Sequence, residues 1–162
     1  MSYGLQKGIK IGTTAVVLLL SQNQYYILNV GDSRVYELTK EIKQITHDQT
    51  FVAREVALGN MTQEQADKDK KKNVLLQCVG ASKTISPDFF CGDLKENAVY
   101  MLCSDGFRNK ITSAEIYGKF CPNVLHDTVD MNEKALSLIE LNKERNEKDN
   151  ISVILIKTVV EE

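Results

Sequence analysis

The chain has 162 residues and a formal net charge of −2 at pH 7, with 43% hydrophobic and 26% charged residues. This length and composition are typical of one globular domain and exclude a disordered chain. The near-neutral charge argues against a general electrostatic affinity for nucleic acid or for an anionic membrane surface.

The N-terminal part is predicted to form a β-hairpin followed by a third strand. Residues 13–20 and 24–30 are rich in β-branched or aromatic side chains and are separated by three polar residues. Residues 34–38 form the next predicted strand. Because the first run is apolar without alternation, we expect both of its faces to be covered. It is also too short to span a bilayer and has no signal-peptide head.

Residues 47–73 are more polar and are predicted to form a small helical excursion. Thr62 and Gln65 have the spacing of a capping box at the start of a short charged helix. The run at 67–72 mixes both charge signs, which favours a solvated helix end over a basic substrate-binding patch.

The C-terminal half is predicted to contain strands at 84–90 and 98–103, two helices, and a final strand at 151–160. Thr112 and Glu115 have capping-box spacing and open a helix that ends before Pro122. A longer helix is predicted at about 132–145. This order lacks regular β-α alternation, so it indicates an α+β fold of antiparallel sheets with helices, in a single domain spanning residues 1–162.

Four single cysteines complete the composition: Cys78, Cys91, Cys103 and Cys121. None belongs to a CxxC motif, so we expect reduced structural thiols in a soluble, cytoplasmic protein.

Three aspartates stand directly beside apolar strands. Asp32 follows the strand at 24–30, Asp105 follows the strand at 98–103, and Asp149 precedes the last strand. Each aspartate also lies in a common turn sequence, where its carboxylate can bind nearby backbone amides. Carboxylates that converge from separate strands repel one another unless a cation lies among them, and their hard oxygens suit Mg²⁺ or Mn²⁺. Together the three aspartates predict a divalent-metal site.

Five segments carry a resemblance to a known family: GTTAVVLLL (12–20), NVGDSRVYEL (29–38), ITHDQTFV (45–52), MLCSDGF (101–107) and KDNISVILI (148–156). In this order they resemble the bacterial type 2C, or PPM, metal-dependent serine/threonine protein phosphatases. The resemblance implies an α-β-β-α sandwich with a binuclear Mn²⁺ or Mg²⁺ centre at one edge. It also implies hydrolysis of phosphoserine and phosphothreonine in proteins by metal-activated water. Bacterial members of the family often oppose the action of a serine/threonine kinase.

The same resemblance implies roles for individual residues. Asp105 and Asp149 match ligands of the core metal pair, and Asp32 with Asp105 matches a third, weaker metal site. Residues 50–72 match the flap beside the active site. Arg34 is assigned a structural pairing role instead of a phosphate clamp.

Cys103, next to the Ser-Asp-Gly motif, is interpreted as a core residue. A cysteine nucleophile would need an arginine-rich phosphate loop, which the sequence around Cys103 does not have.

The family also has upstream elements that this sequence does not match: a phosphate-binding arginine, an Asn-Glu-Asp element, and an Asp-Gly followed by paired glycines. The only Asp-Gly here is Asp105–Gly106, so the aspartate that bridges the two core metals is not found. Asn109 stands where many relatives have another acidic residue. The resemblance therefore implies a domain that is incomplete at the N-terminus and inactive on its own. The strand at 13–20 would then lose part of its cover, and we expect self-association.

Three other functions stay open at this point. The chain can be a catalytically dead relative that binds phosphoproteins or a regulatory partner, or an unrelated structural domain with aspartates in its turns. A metal-dependent nuclease is disfavoured because the sequence shows no basic, aromatic-lined groove for nucleic acid.

Overall fold

A computed structural model describes residues 11–159, which form two antiparallel β-sheets and a set of helices. The strands are β1 (Ala15–Ser21), β2 (Gln24–Val30), β3 (Arg34–Leu38), β4 (Ile42–Gln44), β5 (Asp88–Asp93), β6 (Val99–Cys103) and β7 (Val153–Lys157). The helices are α1 (Phe51–Ala57), α2 (Gln63–Lys68), α3 (Asp105–Arg108), α4 (Ser113–Phe120) and α5 (Thr128–Glu144). In this part of the chain no helix has the length and apolarity needed to cross a membrane.

The first sheet has the strand order β1-β2-β5. The predicted hairpin is confirmed, with pairs running from Ala15↔Val30 to Ser21↔Gln24. The prediction for β5 was wrong at its start, because the strand begins at residue 88 and not at 84. The reason lies in Gln77, whose side-chain amide donates to the carbonyl of Ser86 and accepts from its N–H, both at 2.7 Å. These bonds satisfy the backbone just before the strand.

The second sheet has the order β4-β3-β6-β7. Its first strand, β4, has only three residues and was not predicted, because so short a run carries no clear periodicity. The last strand was predicted at 151–160 but is shorter: Thr158 accepts a hydrogen bond from the N–H of Ala98 through its hydroxyl, beyond the strand end. Residue 160 of that prediction lies outside the described residues.

The two sheets pack face to face around a small apolar core. Ile27 from the first sheet and Val35 and Leu102 from the second are buried at its centre. Tyr25 and Tyr100 also meet across the interface, with ring centroids 5.7 Å apart. This packing holds the ends of β2, β3 and β6 in fixed positions, which matters for the site described below.

The helices α3, α4 and α5 cover the other face of the second sheet. Phe107 of α3 stacks on Phe120 of α4 with centroids 6.1 Å apart, and both side chains are fully buried. The helix α5 begins four residues earlier than predicted, because Asp127 caps it by accepting from the N–H groups of Val129 and Asp130. Both predicted capping boxes, at the starts of α2 and α4, are confirmed.

The outer face of the first sheet is apolar and exposed. Alternate residues of β1 point away from the core, so Val17 and Leu19 are 54% and 57% exposed, and Phe89 on β5 is 74% exposed. With Tyr26 on β2 they form what we call the outer apolar face: Val17, Leu19, Tyr26 and Phe89. The expectation that both faces of β1 are covered is therefore wrong within residues 11–159. The fold is α+β as predicted, with a helical layer from α3, α4 and α5 on the second sheet.

Candidate metal centre

Asp32 lies in a tight turn between β2 and β3. The turn requires glycine at position 31, where φ is +110° and an added Cβ would lie 2.3 Å from Cγ2 of Thr14. The side chain of Gln49 fixes the same turn, since its Oε1 accepts from the N–H of Gly31 at 2.8 Å. Ser33 shares a hydrogen bond with the Thr14 hydroxyl at 3.0 Å, which joins the turn to the start of β1.

Asp105 lies at the point where β6 ends and α3 begins. Its Oδ1 accepts from the N–H of Gly106 at 2.8 Å, which orients the carboxylate at the start of the helix. The preceding Ser104 binds the neighbouring strand: its Oγ donates to the carbonyl of Asn150 and accepts from the N–H of Ser152, both at 3.1 Å. Asp105 is thereby held at the rim of the second sheet.

Strand register brings Asp32 and Asp105 to the same end of the molecule. Arg34 pairs with Cys103 in the antiparallel β3-β6 ladder. Asp32 is two residues before Arg34, and Asp105 is two residues after Cys103, so the two aspartates lie opposite each other just beyond the last pair. The predicted convergence of Asp32 and Asp105 follows from this register.

Asp149 lies beside the junction of β6 and α3, next to Gly106, and is exposed. A Cβ added at Gly106 would be 3.3 Å from the Cβ of Asp149 and 2.5 Å from the carbonyl oxygen of Asn150. Only glycine allows this approach. Oδ1 of Asp149 accepts from the N–H of Asn150 at 2.7 Å, and the backbone N–H of Asp149 donates to Glu147.

Burial and charge make Asp32 harder to ionise than an ordinary aspartate. Desolvation is the main cause of its raised pKa, and the nearby charges of Asp105 and Asp48 raise it further, while Arg108 lowers it. The effect of Asp105 on the pKa of Asp32 agrees with the register argument. Two carboxylates in this arrangement are stabilised by a positive charge.

Two arginines supply positive charge around Asp48. Arg34 binds Asp48 as a fork, with Nε 2.7 Å from Oδ1 and Nη2 2.7 Å from Oδ2. Arg108 approaches from α3, with Nη2 3.3 Å from Oδ2 of Asp48 and 3.3 Å from the carbonyl oxygen of Asp32. The structural pairing role predicted for Arg34 is confirmed.

Cys103 lies behind this group as a core residue. Its thiol is buried, and desolvation raises its pKa to about 12, so the thiolate is not formed at neutral pH. This agrees with the expectation that Cys103 is not a nucleophile.

The residues present fit a hard divalent cation held by few protein ligands. Within residues 11–159, no three side chains of Asp, Glu, His or Cys stand close enough together to bind one metal ion. Asp32, Asp105 and Asp149 therefore do not form one three-ligand site. Mg²⁺ commonly binds through one or two carboxylates and completes its shell with water. The carboxylates at this edge fit that mode.

Comparisons with known proteins agree with this geometry. The family described as "Protein phosphatase 2C" matches residues 3–55. The "Serine/threonine phosphatase stp" of Listeria innocua is 32% identical over 148 residues, which are 91% of this chain and 57% of that protein. The S. agalactiae serine/threonine phosphatase structure superposes with a TM-score of 0.86 and 28% identity, covering 98% of this chain and 64% of that one.

The chain is thus similar to bacterial serine/threonine phosphatases of the type 2C family. It spans little more than half the length of the curated relatives that it matches. A second structure, the catalytic domain of the serine threonine protein phosphatase PstP "in complex with 2 Manganese ions", superposes with a TM-score of 0.80 and 25% identity, covering 98% of this chain and 64% of that one.

The sequence analysis missed two charged residues of this candidate site. Asp48 lies in the ITHDQTFV segment and Arg108 follows the Ser-Asp-Gly-Phe run, yet neither was assigned a role. The sequence shows that both residues are charged, but it does not show their partners. Asp48 binds Arg34, 14 residues away, and Arg108 binds the carbonyl of Asp32, 76 residues away. Asn109, at the end of α3, is exposed.

Proposed function

We propose that this chain forms part of a protein serine/threonine phosphatase that hydrolyses phosphoserine and phosphothreonine with metal-activated water. The observation that supports it most is the placement of Asp32 and Asp105 opposite each other at the end of the β3-β6 ladder, beside Asp149. The similarity to type 2C phosphatases supports this chemistry for the cluster.

We assign Asp105 and Asp149 to the core metal pair, and Asp32 with Asp105 to a weaker third ion. The ions are Mn²⁺ or Mg²⁺, since both prefer carboxylate oxygens. When bound, such cations lower the pKa of a water molecule and neutralise charge on the phosphoryl group. The protein's own part is to hold the carboxylates: the Gly31 turn positions Asp32, and the Ser104 hydrogen bonds position Asp105.

Substrate access is assigned to the helical segment beside the site. Residues 50–72 contain α1 and α2 and are anchored at one end, where the N–H of Phe51 donates to the carbonyl of Val74 at 2.8 Å. We propose that this segment is a flap that influences the approach of phosphorylated protein substrates, with a serine/threonine kinase as the opposing enzyme. We propose that the protein is cytoplasmic and that residues 1–162 form a single domain.

The outer apolar face supports a second proposal, that isolated copies of residues 1–162 self-associate. The four residues of this face are uncharged, so two identical faces can meet without like-charge repulsion. Exposed contiguous apolar surface on a soluble domain commonly marks an interface. The partner is a second copy of this chain, packed with its own outer apolar face inward.

The experiment that tests the phosphatase proposal is Mn²⁺-dependent hydrolysis of p-nitrophenyl phosphate by the longest protein that the gene encodes. We expect Asp105→Asn to reduce the rate by about 100-fold or more, because it removes a metal ligand. Asp93→Asn, at an exposed position at the end of β5, is the matched control and should keep the wild-type rate. Activity that survives Asp105→Asn or chelation by EDTA would contradict the proposal.

The same assay on residues 1–162 alone shows whether this part of the protein is active by itself. We expect a rate no higher than that of Asp105→Asn, since the described residues offer no site with three ligands. A Mn²⁺-dependent rate above that background would mean that further ligands come from a second copy or from the residues outside 11–159.

A further inference from the structure

Arg108 occupies an unusual position for an arginine. Its side chain is only 16% exposed, and it extends from α3 into the space between Asp32 and Asp48. Its Nη2 makes two long contacts of 3.3 Å, to the carbonyl oxygen of Asp32 and to Oδ2 of Asp48. Its Nε is buried and has no hydrogen-bond partner. The guanidinium is thus held close to the site without the close fork that Arg34 makes.

The surrounding charges explain why a cation is needed there. Asp48 already has a full partner in Arg34, with both carboxylate oxygens bound at 2.7 Å. Asp32 and Asp105 have no such partner among the described residues: the carboxylate of Asp105 binds the N–H of Gly106, and Asp32 is reached by Arg108 only through its backbone carbonyl. Arg108 is a positive charge beside Asp32 that is not held in a close fork of this kind.

A buried arginine and a bound divalent cation compete for the same negative charge. A guanidinium cannot lose its proton, so it stays positive whatever ion arrives. Like charges in a partly buried site repel more strongly than they do in water. A cation that binds between Asp32 and Asp105 must therefore either tolerate Arg108 or displace it toward Asp48.

We propose that Arg108 is the internal counter-ion of Asp32 and Asp105 and that it weakens the binding of a divalent cation at this pair. This inference rests on the metal site of the proposed function. It makes Arg108 a positioning residue that sets metal affinity, acting through charge and not through contact with substrate.

The test is a titration of residues 1–162 with Mn²⁺ at constant pH and ionic strength. The electron paramagnetic resonance signal of the free ion measures how much Mn²⁺ is bound. We expect Arg108→Gln to bind Mn²⁺ about tenfold more tightly than the wild type, and Arg108→Lys, which keeps the charge, to stay near the wild type. Lys110→Gln removes an exposed charge two residues away and controls for net charge. Adding Asp32→Asn to Arg108→Gln should remove the gain.

The outcomes separate this inference from the proposed function. If Asp105→Asn abolishes Mn²⁺ binding while Arg108→Gln leaves it at the wild-type level or lower, the counter-ion role is wrong and the metal site stands. If neither the wild type nor Arg108→Gln binds Mn²⁺, the counter-ion role is wrong, whereas the phosphatase proposal is decided by the activity assay on the longest protein that the gene encodes. An equal gain in Lys110→Gln would reduce the effect to net charge and would also overturn the inference.

A second measurement on the wild type covers the case in which Arg108→Gln does not fold. Mg²⁺ is titrated into ¹⁵N-labelled protein while the side-chain Nε–H resonances of the arginines are recorded. We expect the Arg108 resonance to shift with Mg²⁺ and that of Arg145, which is paired with Glu115, to stay fixed. An Arg108 resonance that does not respond to Mg²⁺ would overturn the inference.

Discussion

Arg34 and Asp48 join two separate segments of the chain through a two-point ion pair, with Nε–Oδ1 and Nη2–Oδ2 distances of 2.7 Å. Arg34 begins β3, and Asp48 lies fourteen residues later, in the loop before α1. The side chains are 25% and 13% exposed. The pair links the loop that carries Asp48 to β3, the strand that follows Asp32. Because both side chains are largely shielded from water, this ion pair is stronger than an exposed one.

Removing this pair should destabilise the fold. Asp48→Asn leaves Arg34 and Arg108 without their shared carboxylate, and we expect the free energy of unfolding to fall by about 2 to 4 kcal/mol in urea titrations. Glu64→Gln is the matched control, because its pair with Lys68 is 74% and 81% exposed and should change stability by less than about 0.5 kcal/mol. Similar losses in the two variants would show that burial does not matter here.

The Gly31 turn should not accept a side chain. Gly31→Ala combines a positive φ with a contact of 2.3 Å to Cγ2 of Thr14, and we expect a loss of about 2 to 4 kcal/mol in thermal or urea unfolding. Gly59→Ala has a positive φ but nothing within 4 Å, so it should cost only about 1 kcal/mol.

Gly118→Ala provides the opposite control for the same experiment. This glycine lies inside α4 with open space around it, so alanine should stabilise the protein by about 0.5 to 1 kcal/mol. If Gly31→Ala and Gly59→Ala were equally destabilising, the contact with Thr14 would not contribute.

Acid should loosen the junction between α4 and α5. Hydrogen bonds to Arg145, at the end of α5, and to the capping box of Thr112 lower the pKa of Glu115 to about 2 from an ordinary 4.5. Since the folded pKa is the lower one, the stabilisation is fully present above about pH 4.5 and is lost as the pH falls toward 2.

We expect thermal unfolding midpoints of the wild type to fall across that interval, and those of Glu115→Gln to start lower and fall less. Glu140→Gln, which removes an exposed pair with Lys143 on α5, should follow the wild-type pH profile. A Glu115→Gln profile parallel to the wild type between pH 4.5 and 2 would be the contrary result.

Self-association should depend on the outer apolar face. Phe89 is its most exposed member at 74%, and Phe89→Lys places a charge where two copies would meet. We expect light scattering at about 100 µM protein to report a dimer or larger species for the wild type and a monomer for Phe89→Lys.

Leu58→Lys is the matched control for this experiment, since Leu58 is 65% exposed but lies at the end of α1, away from the outer apolar face. It should leave the mass unchanged. A monomeric wild type, or equal dissociation by both substitutions, would contradict this interface.

Local features of the structure were largely predictable from the sequence. The hairpin, β3, β6 and both capping boxes follow from side-chain periodicity and from residues a few positions apart, so the sequence contains what is needed to assign them. The positions of Asp32, Asp105 and Asp149 beside apolar strands were visible for the same reason. Where a distant side chain ended or began an element, as Gln77 does before β5, the prediction was wrong.

The sequence by itself therefore determined the hairpin, β3, β6, the starts of α2 and α4 and the candidate ligands, because these depend on short-range periodicity and backbone hydrogen bonding. Only the tertiary structure decided that Asp32 faces Asp105, that Arg108 reaches both Asp32 and Asp48, and that Val17 and Leu19 face outward. Those relationships depend on strand register and sheet packing between residues up to 76 positions apart. A one-residue change of register would alter every one of them without changing any local preference.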